Sequence, residues 1–148
     1  MSKQYQHIQV KPVNGRIGAV IEGVTLSSKL DDAVVQEINQ ALLTHKAIFF
    51  KNQSHLDDTE QEAFATRLGT PSNHPTVPVK QGSNHILELD SRGARADSWH
   101  TDITFLDAYP KASILRSIVA PEVGGNAVWA NTTTAYNDLP EELKTLAD

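Results

Sequence analysis

The chain has 148 residues, 39% of them hydrophobic and 21% charged, with a formal net charge of -5 and no cysteine. A single domain of that length buries about two-thirds of its unfolded surface, and the composition excludes a largely disordered chain. Net negative charge without a basic cluster leaves no footing for nucleic acid or an anionic membrane surface, and the missing thiols exclude disulfides and thiolate metal sites.

The first residues, Met1 to His7, contain no apolar core segment for secretion, and no apolar run approaches membrane-spanning length, so a cytoplasmic location is expected. From Ile8 to Val24 short β-favouring pieces, Ile8-Gln9-Val10 and Ile17 to Ile21, are punctuated by Pro12, Asn14-Gly15, Gly18 and Gly23, which predicts strands joined by tight turns. Between Asp31 and Lys46 the period changes. Val34, Val35, Ile38, Ala41, Leu42 and His45 recur at helical spacing, with Asp31 or Asp32 as the cap. Ala47-Ile48-Phe49-Phe50 reads as a short buried strand, and a second capped helix is predicted from Asp58 to Leu68, ending at Gly69. A loop rich in Pro, Asn and Ser then runs from Pro71 to Gly82 and carries His74. Four further strands are predicted: His85 to Leu89, Trp99 to Phe105, Ala112 to Val119 and Ala127 to Asn131. Turn residues at Arg92-Gly93, Tyr109-Pro110 and Gly124-Gly125 separate them. The stretch from Leu139 to Leu146 starts a helix at Pro140, with acids in its first turn and about two turns of length. Six or seven strands fall short of the eight or so that close a double-sheet jelly roll, so the chain reads as the front part of a longer protein.

The chemistry concentrates in Trp99-His100-Thr101-Asp102-Ile103-Thr104-Phe105. In a strand, residues i and i+2 share a face, so His100 and Asp102 are expected to offer an imidazole nitrogen and a carboxylate oxygen to one cavity. That is two-thirds of the 2-His-1-carboxylate set that binds iron(II) and leaves positions open for other ligands. The competing reading is a strand histidine satisfied by a neighbouring side chain. A His-x-acid triplet is expected about once by chance in such a composition. A second one, His55-Leu56-Asp57, follows a polar loop and opens a capping box, Asp57-x-x-Glu60 or Asp58-x-x-Gln61, so its role is structural.

Several blocks recur in order beside this motif: Gly15 to Ala19, His45 to Phe50, His74-Pro75-Thr76-Val77-Pro78-Val79, Arg95 to Asp102, Ala108 to Arg116 and Val128-Trp129-Ala130-Asn131-Thr132. From about Val13 to the last residue the chain resembles the taurine/alkylsulfate (TauD/TfdA-like) branch of the iron(II)- and 2-oxoglutarate-dependent dioxygenases. Within that branch it is most similar to bacterial alkylsulfatase dioxygenases. The resemblance implies a mixed α+β fold: a double-stranded β-helix (jelly-roll) core with flanking helices, incomplete here, with residues 1–148 as the N-terminal part of one domain. It implies Fe(2+) on His100 and Asp102, 2-oxoglutarate as cosubstrate, and His74 and the Ile103 backbone N–H facing the anionic group of the substrate. The third iron ligand and the carboxylate-binding arginines belong to the family's C-terminal half.

The resemblance also locates three departures. Where taurine-specific members have a Tyr and an Asn, this chain has Val77 and Ala96, which suits an alkyl chain better than taurine's amine. Where alkylsulfatase-type members place a Thr against 2-oxoglutarate, this chain has Ala127, a loss of one hydrogen bond to a charged group worth about 1.5–3 kcal/mol. Trp99 and Trp129 are assigned to core packing. The expected function is hydroxylation of the carbon next to the sulfate or sulfonate of an alkyl sulfate or sulfonate, releasing an aldehyde with sulfate or sulfite for sulfur scavenging. The partners are then a small anionic organosulfur substrate and O2, with no nucleic acid and no membrane, in a homo-oligomer when full length. The alternatives are a taurine or phenoxyalkanoate dioxygenase, and a catalytically inactive truncated fragment.

Overall fold

The computed structural model describes residues 5–90, 92–93 and 96–148; Arg95, which opens the motif block before His100, and the start of the N-terminal segment lie outside them. The chain divides into two compact units. One comprises the segment ending at Thr25 together with Leu30–Gln53 and Pro121–Asp148; the other comprises Leu26–Lys29 and Ser54–Ala120.

The first unit is built on a three-stranded sheet in the order β1-β2-β3, from β1 (Gln9–Pro12), β2 (Ala19–Glu22) and β3 (Ile48–Phe50). β1 and β2 pair antiparallel, Val10 opposite Ile21 and Pro12 opposite Ala19, while β3 runs parallel to β2 with Phe49 opposite Val20. Pro12 cannot donate to a ladder, and it sits on the outer strand, where that donor is dispensable. The β1-β2 connection closes through the Val13 N–H to the Gly18 carbonyl at 2.9 Å, and Gly18 takes φ 93, a left-handed conformation that glycine adopts without a Cβ penalty.

The parallel β2-β3 pair requires a crossover, and α1 (Asp32–His45) provides it. Val35, Ile38 and Ala41 share one helical face and are buried, and α1 packs against β2 and β3. With Ile8, Ala19 and Ile21 they form the core of this unit. The predicted helix and its apolar face are thus present, although Asp31 stands at the N-cap without a side-chain cap bond. Near the chain's end come α3 (Thr132–Asn137), which the sequence reading did not anticipate, and α4 (Glu141–Ala147), which it did. The Asn131 side chain caps α3 by accepting from the Thr134 N–H, and its amide donates to the Arg16 carbonyl at 2.8 Å. Trp129 lies edge-to-face on Phe49 with ring centroids 5.6 Å apart.

The second unit is organised by α2 (Asp58–Leu68), whose predicted bounds match the observed ones. Its buried apolar residues among those described are Leu26, Leu56 and Phe64. Polar ties from the helix do much of the remaining work. Asp58 accepts from Lys80 Nζ at 2.7 Å and from the Arg116 guanidinium, which also reaches the Leu56 carbonyl. Glu60 accepts the Ser28 N–H at 2.6 Å, and Glu62 accepts the Asn84 and His85 N–H groups, each at 2.7 Å.

These partners lower all three carboxyl pKa values. For Asp58 the leading cause is the Lys80 hydrogen bond, for Glu60 the Ser28 amide and for Glu62 the His85 amide. A carboxyl depressed in the folded state contributes stability above its unfolded pKa and loses it as pH falls through the folded value. The ordinary values are 3.8 for Asp and 4.5 for Glu, so the loss begins near pH 4.5 and deepens below it. On acidification the amide signals of Ser28, Asn84 and His85 should therefore lose native dispersion before those of Val20 and Ile21 in the sheet. Simultaneous loss in heteronuclear NMR spectra would contradict this.

Four expected strands are not formed. The segments 85–89, 99–105, 112–119 and 127–131 have no ladder partner among the described residues and run as irregular chain. A β-favouring run becomes a strand only when a neighbour satisfies its N–H and C=O groups, and without one its apolar side chains stay in solvent. Trp99 is accordingly 73% exposed and Trp129 48% exposed rather than in a core, and Leu115, Ile118 and Val128 are exposed with them.

Candidate active site

All four residues singled out as ligands of metal or substrate, His74, His100, Asp102 and Ile103, lie in the second unit. Its other His-x-Asp triplet plays the structural part expected of it. Asp57 caps α2 by accepting the Glu60 N–H at 2.8 Å, and His55 Nε2 lies 2.8 Å from the Leu26 carbonyl oxygen.

His100 and Asp102 are brought together, by a different route from the one expected. Strand alternation does not align them, because the segment is irregular and Ile103 takes φ 53. That left-handed conformation is rare for a β-branched residue and costs on the order of 1–3 kcal/mol. A tight turn follows, closed from the Leu106 N–H to the Ile103 carbonyl at 3.4 Å. Just before this turn His100 Nε2 stands 3.4 Å from Asp102 Oδ1, with both side chains more than half exposed.

His100 Nδ1 is 3.0 Å from the Ser98 carbonyl oxygen. A carbonyl only accepts, so Nδ1 carries a proton, and Nε2 is the ring atom turned toward Asp102. The other carboxylate oxygen, Asp102 Oδ2, accepts from Ser113 Oγ at 3.0 Å. An imidazole nitrogen and a carboxylate oxygen about 3–3.5 Å apart suit two adjacent positions on one ion with bonds of about 2.1 Å. The donor set therefore fits two ligands of an iron(II) site. Among the described residues no third His, Asp or Glu joins them.

His74 is half-buried in the loop after α2. Its Nδ1 accepts the backbone N–H groups of Thr76 and Val77 at 3.2 and 3.1 Å, which places the proton of the neutral ring on Nε2. The turn through Pro75 thus fixes the tautomer and leaves Nε2–H as a donor. Val77, at 37% exposure, and Ala96 present no polar side-chain group. Ala127 belongs to the first unit and is exposed. An open cleft in that same unit, at the carboxyl ends of β2 and β3, is lined by Gly23, Val24, Thr25, Lys51, Asn52 and others, and contains none of these residues.

Sequence reasoning passed over Ser113, Lys80 and Arg116 as individuals. For Ser113 and Arg116 the available signal was membership of the block from Ala108 to Arg116; for Lys80 nothing in the pattern marks an ion pair with Asp58.

Comparison with known proteins places these features in a family. The chain is 59% identical over 144 residues to an alkylsulfatase of Acinetobacter baylyi, covering 97% of this chain and 45% of the relative. It is 61% identical over 142 residues to an alpha-ketoglutarate-dependent sulfate ester dioxygenase of Pseudomonas putida, covering 95% of this chain and 47% of the relative. Among solved structures, a taurine dioxygenase from Burkholderia xenovorans superposes with a TM-score of 0.83 at 35% identity, over 95% of this chain and 51% of that one. The chain thus spans about half the length of the proteins it matches. Residues 9–148 match the profile of the taurine catabolism dioxygenases, and the chain belongs to this TauD, TfdA family.

Proposed function

We propose that the chain is the front part of a jelly-roll iron(II)- and 2-oxoglutarate-dependent dioxygenase domain that oxidises an alkyl sulfate. The observation that carries this reading is the convergence of His100 Nε2 and Asp102 Oδ1 at 3.4 Å in a chain about 60% identical to an alkylsulfatase and to an alpha-ketoglutarate-dependent sulfate ester dioxygenase. His100 and Asp102 would hold Fe(2+) through those two atoms. With 2-oxoglutarate and O2 bound, the metal supplies the oxidising chemistry.

The chain's own residues act on the substrate. His74 Nε2–H donates to a sulfate oxygen, a charge-assisted bond that orients the ester, and the Ile103 N–H provides a second donor. Val77 and Ala96 leave the organic end an apolar surface, which favours an alkyl chain. Hydroxylation of the carbon bearing the sulfate makes a product that collapses to aldehyde and sulfate, and 2-oxoglutarate leaves as succinate and CO2. The enzyme works in the cytoplasm as a homo-oligomer, scavenging sulfur from small anionic organosulfur compounds.

The test joins residues 1–148 to the part of the Acinetobacter baylyi alkylsulfatase that they do not cover. With Fe(II), 2-oxoglutarate and hexyl sulfate this fusion should release hexanal, sulfate and succinate in equal amounts, and a chelator should stop all three. The 148-residue chain alone should form no succinate, because among its described residues two of the required ligands converge and no third joins them. Sulfite release from taurine, with hexyl sulfate untouched, would replace the sulfate-ester reading with the taurine one.

A further inference from the structure

We propose that Ser113 is a positioning residue that keeps the Asp102 carboxylate a one-oxygen ligand. Its Oγ donates to Asp102 Oδ2 at 3.0 Å, while Oδ1 is the oxygen 3.4 Å from His100 Nε2. The inference rests on the metal reading of His100 and Asp102 and deepens it.

A carboxylate is free to present one oxygen or two to a cation, and the second mode takes an extra coordination position. Chemistry that needs a cosubstrate and oxygen on the same ion has no position to spare. The Ser113 hydroxyl engages one lone pair of Oδ2 and draws off its charge, which biases the carboxylate toward binding a cation through Oδ1 alone. The hydroxyl also restricts carboxylate rotation and aligns Oδ1 with the nitrogen that the Ser98 carbonyl holds in place through Nδ1. Both ligands thereby have an outer partner, one a backbone carbonyl and the other a hydroxyl, an arrangement that typically carries ten- to a hundredfold of metal affinity. Ser113 is itself exposed and 11 residues from Asp102, so its removal leaves no cavity.

The experiment titrates Mn(II), as chloride, into the nitrogen-15-labelled 148-residue chain and follows paramagnetic broadening of amide signals. In the wild type, broadening should centre on His100, Thr101 and Asp102 and vanish in His100→Ala and Asp102→Ala. Ser113→Ala should weaken the apparent Mn(II) affinity about tenfold, and Ser113→Thr, which keeps a hydroxyl, should restore it to within about twofold. Infrared difference spectra of the Mn(II) form should show the carboxylate stretches of Asp102 drawing closer together in Ser113→Ala, the signature of two-oxygen binding. Wild-type affinity and unchanged stretches in Ser113→Ala overturn the proposal and leave the metal reading standing. Broadening that ignores His100→Ala and Asp102→Ala, or is absent from the wild type, overturns both.

Discussion

His100→Ala and Asp102→Ala should each abolish hexyl sulfate turnover by the fusion enzyme, whereas His55→Ala and Asp57→Ala leave kcat within about twofold of wild type. The two triplets have the same spacing and opposite fates. His100 Nε2 and Asp102 Oδ1 face each other at 3.4 Å, and on the proposed metal reading deleting either removes a ligand. The loss should exceed the ten- to hundredfold that removing an outer partner costs. His55 and Asp57 already spend their polar atoms on the Leu26 carbonyl and the Glu60 N–H. Removing the Asp57 cap costs about 1 kcal/mol, seen as a fall of about 2–4 °C in the melting temperature by circular dichroism. Equal losses of turnover at both triplets would show that spacing alone, without the local geometry, had been mistaken for a site.

The elements legible in the sequence are those whose signals are local. α1 carries its apolar face at helical spacing, and α2 is bounded by the Asp57 cap and Gly69, so both follow from neighbours within a few residues. The β1-β2 pair is legible for the same reason, since its turn residues lie between the strands. The later segments from His85 to Asn131 were not legible, because a strand is a property of two segments and composition describes only one. α3 escaped because Asn131 was read as the end of a strand, although an Asn before three Thr residues is equally a helix cap.

At the site, the pairing of His100 with Asp102 was legible and its scaffold was not. An i, i+2 spacing lets His100 and Asp102 approach each other both in a strand and in the irregular segment observed, and only coordinates distinguish the two. The tautomer of His74 and the bond from Ser113 depend on backbone direction and on an 11-residue separation, neither of which leaves a periodic trace.

His74→Ala should raise the KM of the fusion enzyme for hexyl sulfate about ten- to a hundredfold and leave substrate-free decarboxylation of 2-oxoglutarate close to wild type. The split follows from what the ring is tied to. Nδ1 is engaged by the Thr76 and Val77 amides, which leaves Nε2–H as the ring's donor for the proposed bond to a substrate oxygen. A hydrogen bond to a charged group contributes about 1.5–3 kcal/mol, which is the stated range in affinity. Medium-chain alkyl sulfates should outcompete taurine, because Val77 and Ala96 offer its ammonium group no hydrogen-bond partner and its desolvation goes uncompensated. An equal fall in coupled and uncoupled decarboxylation would move His74 from the substrate to the metal or the cosubstrate. A preference for taurine over hexyl sulfate would instead assign the apolar positions to some other part of the pocket, while leaving the assignment of His100 and Asp102 intact.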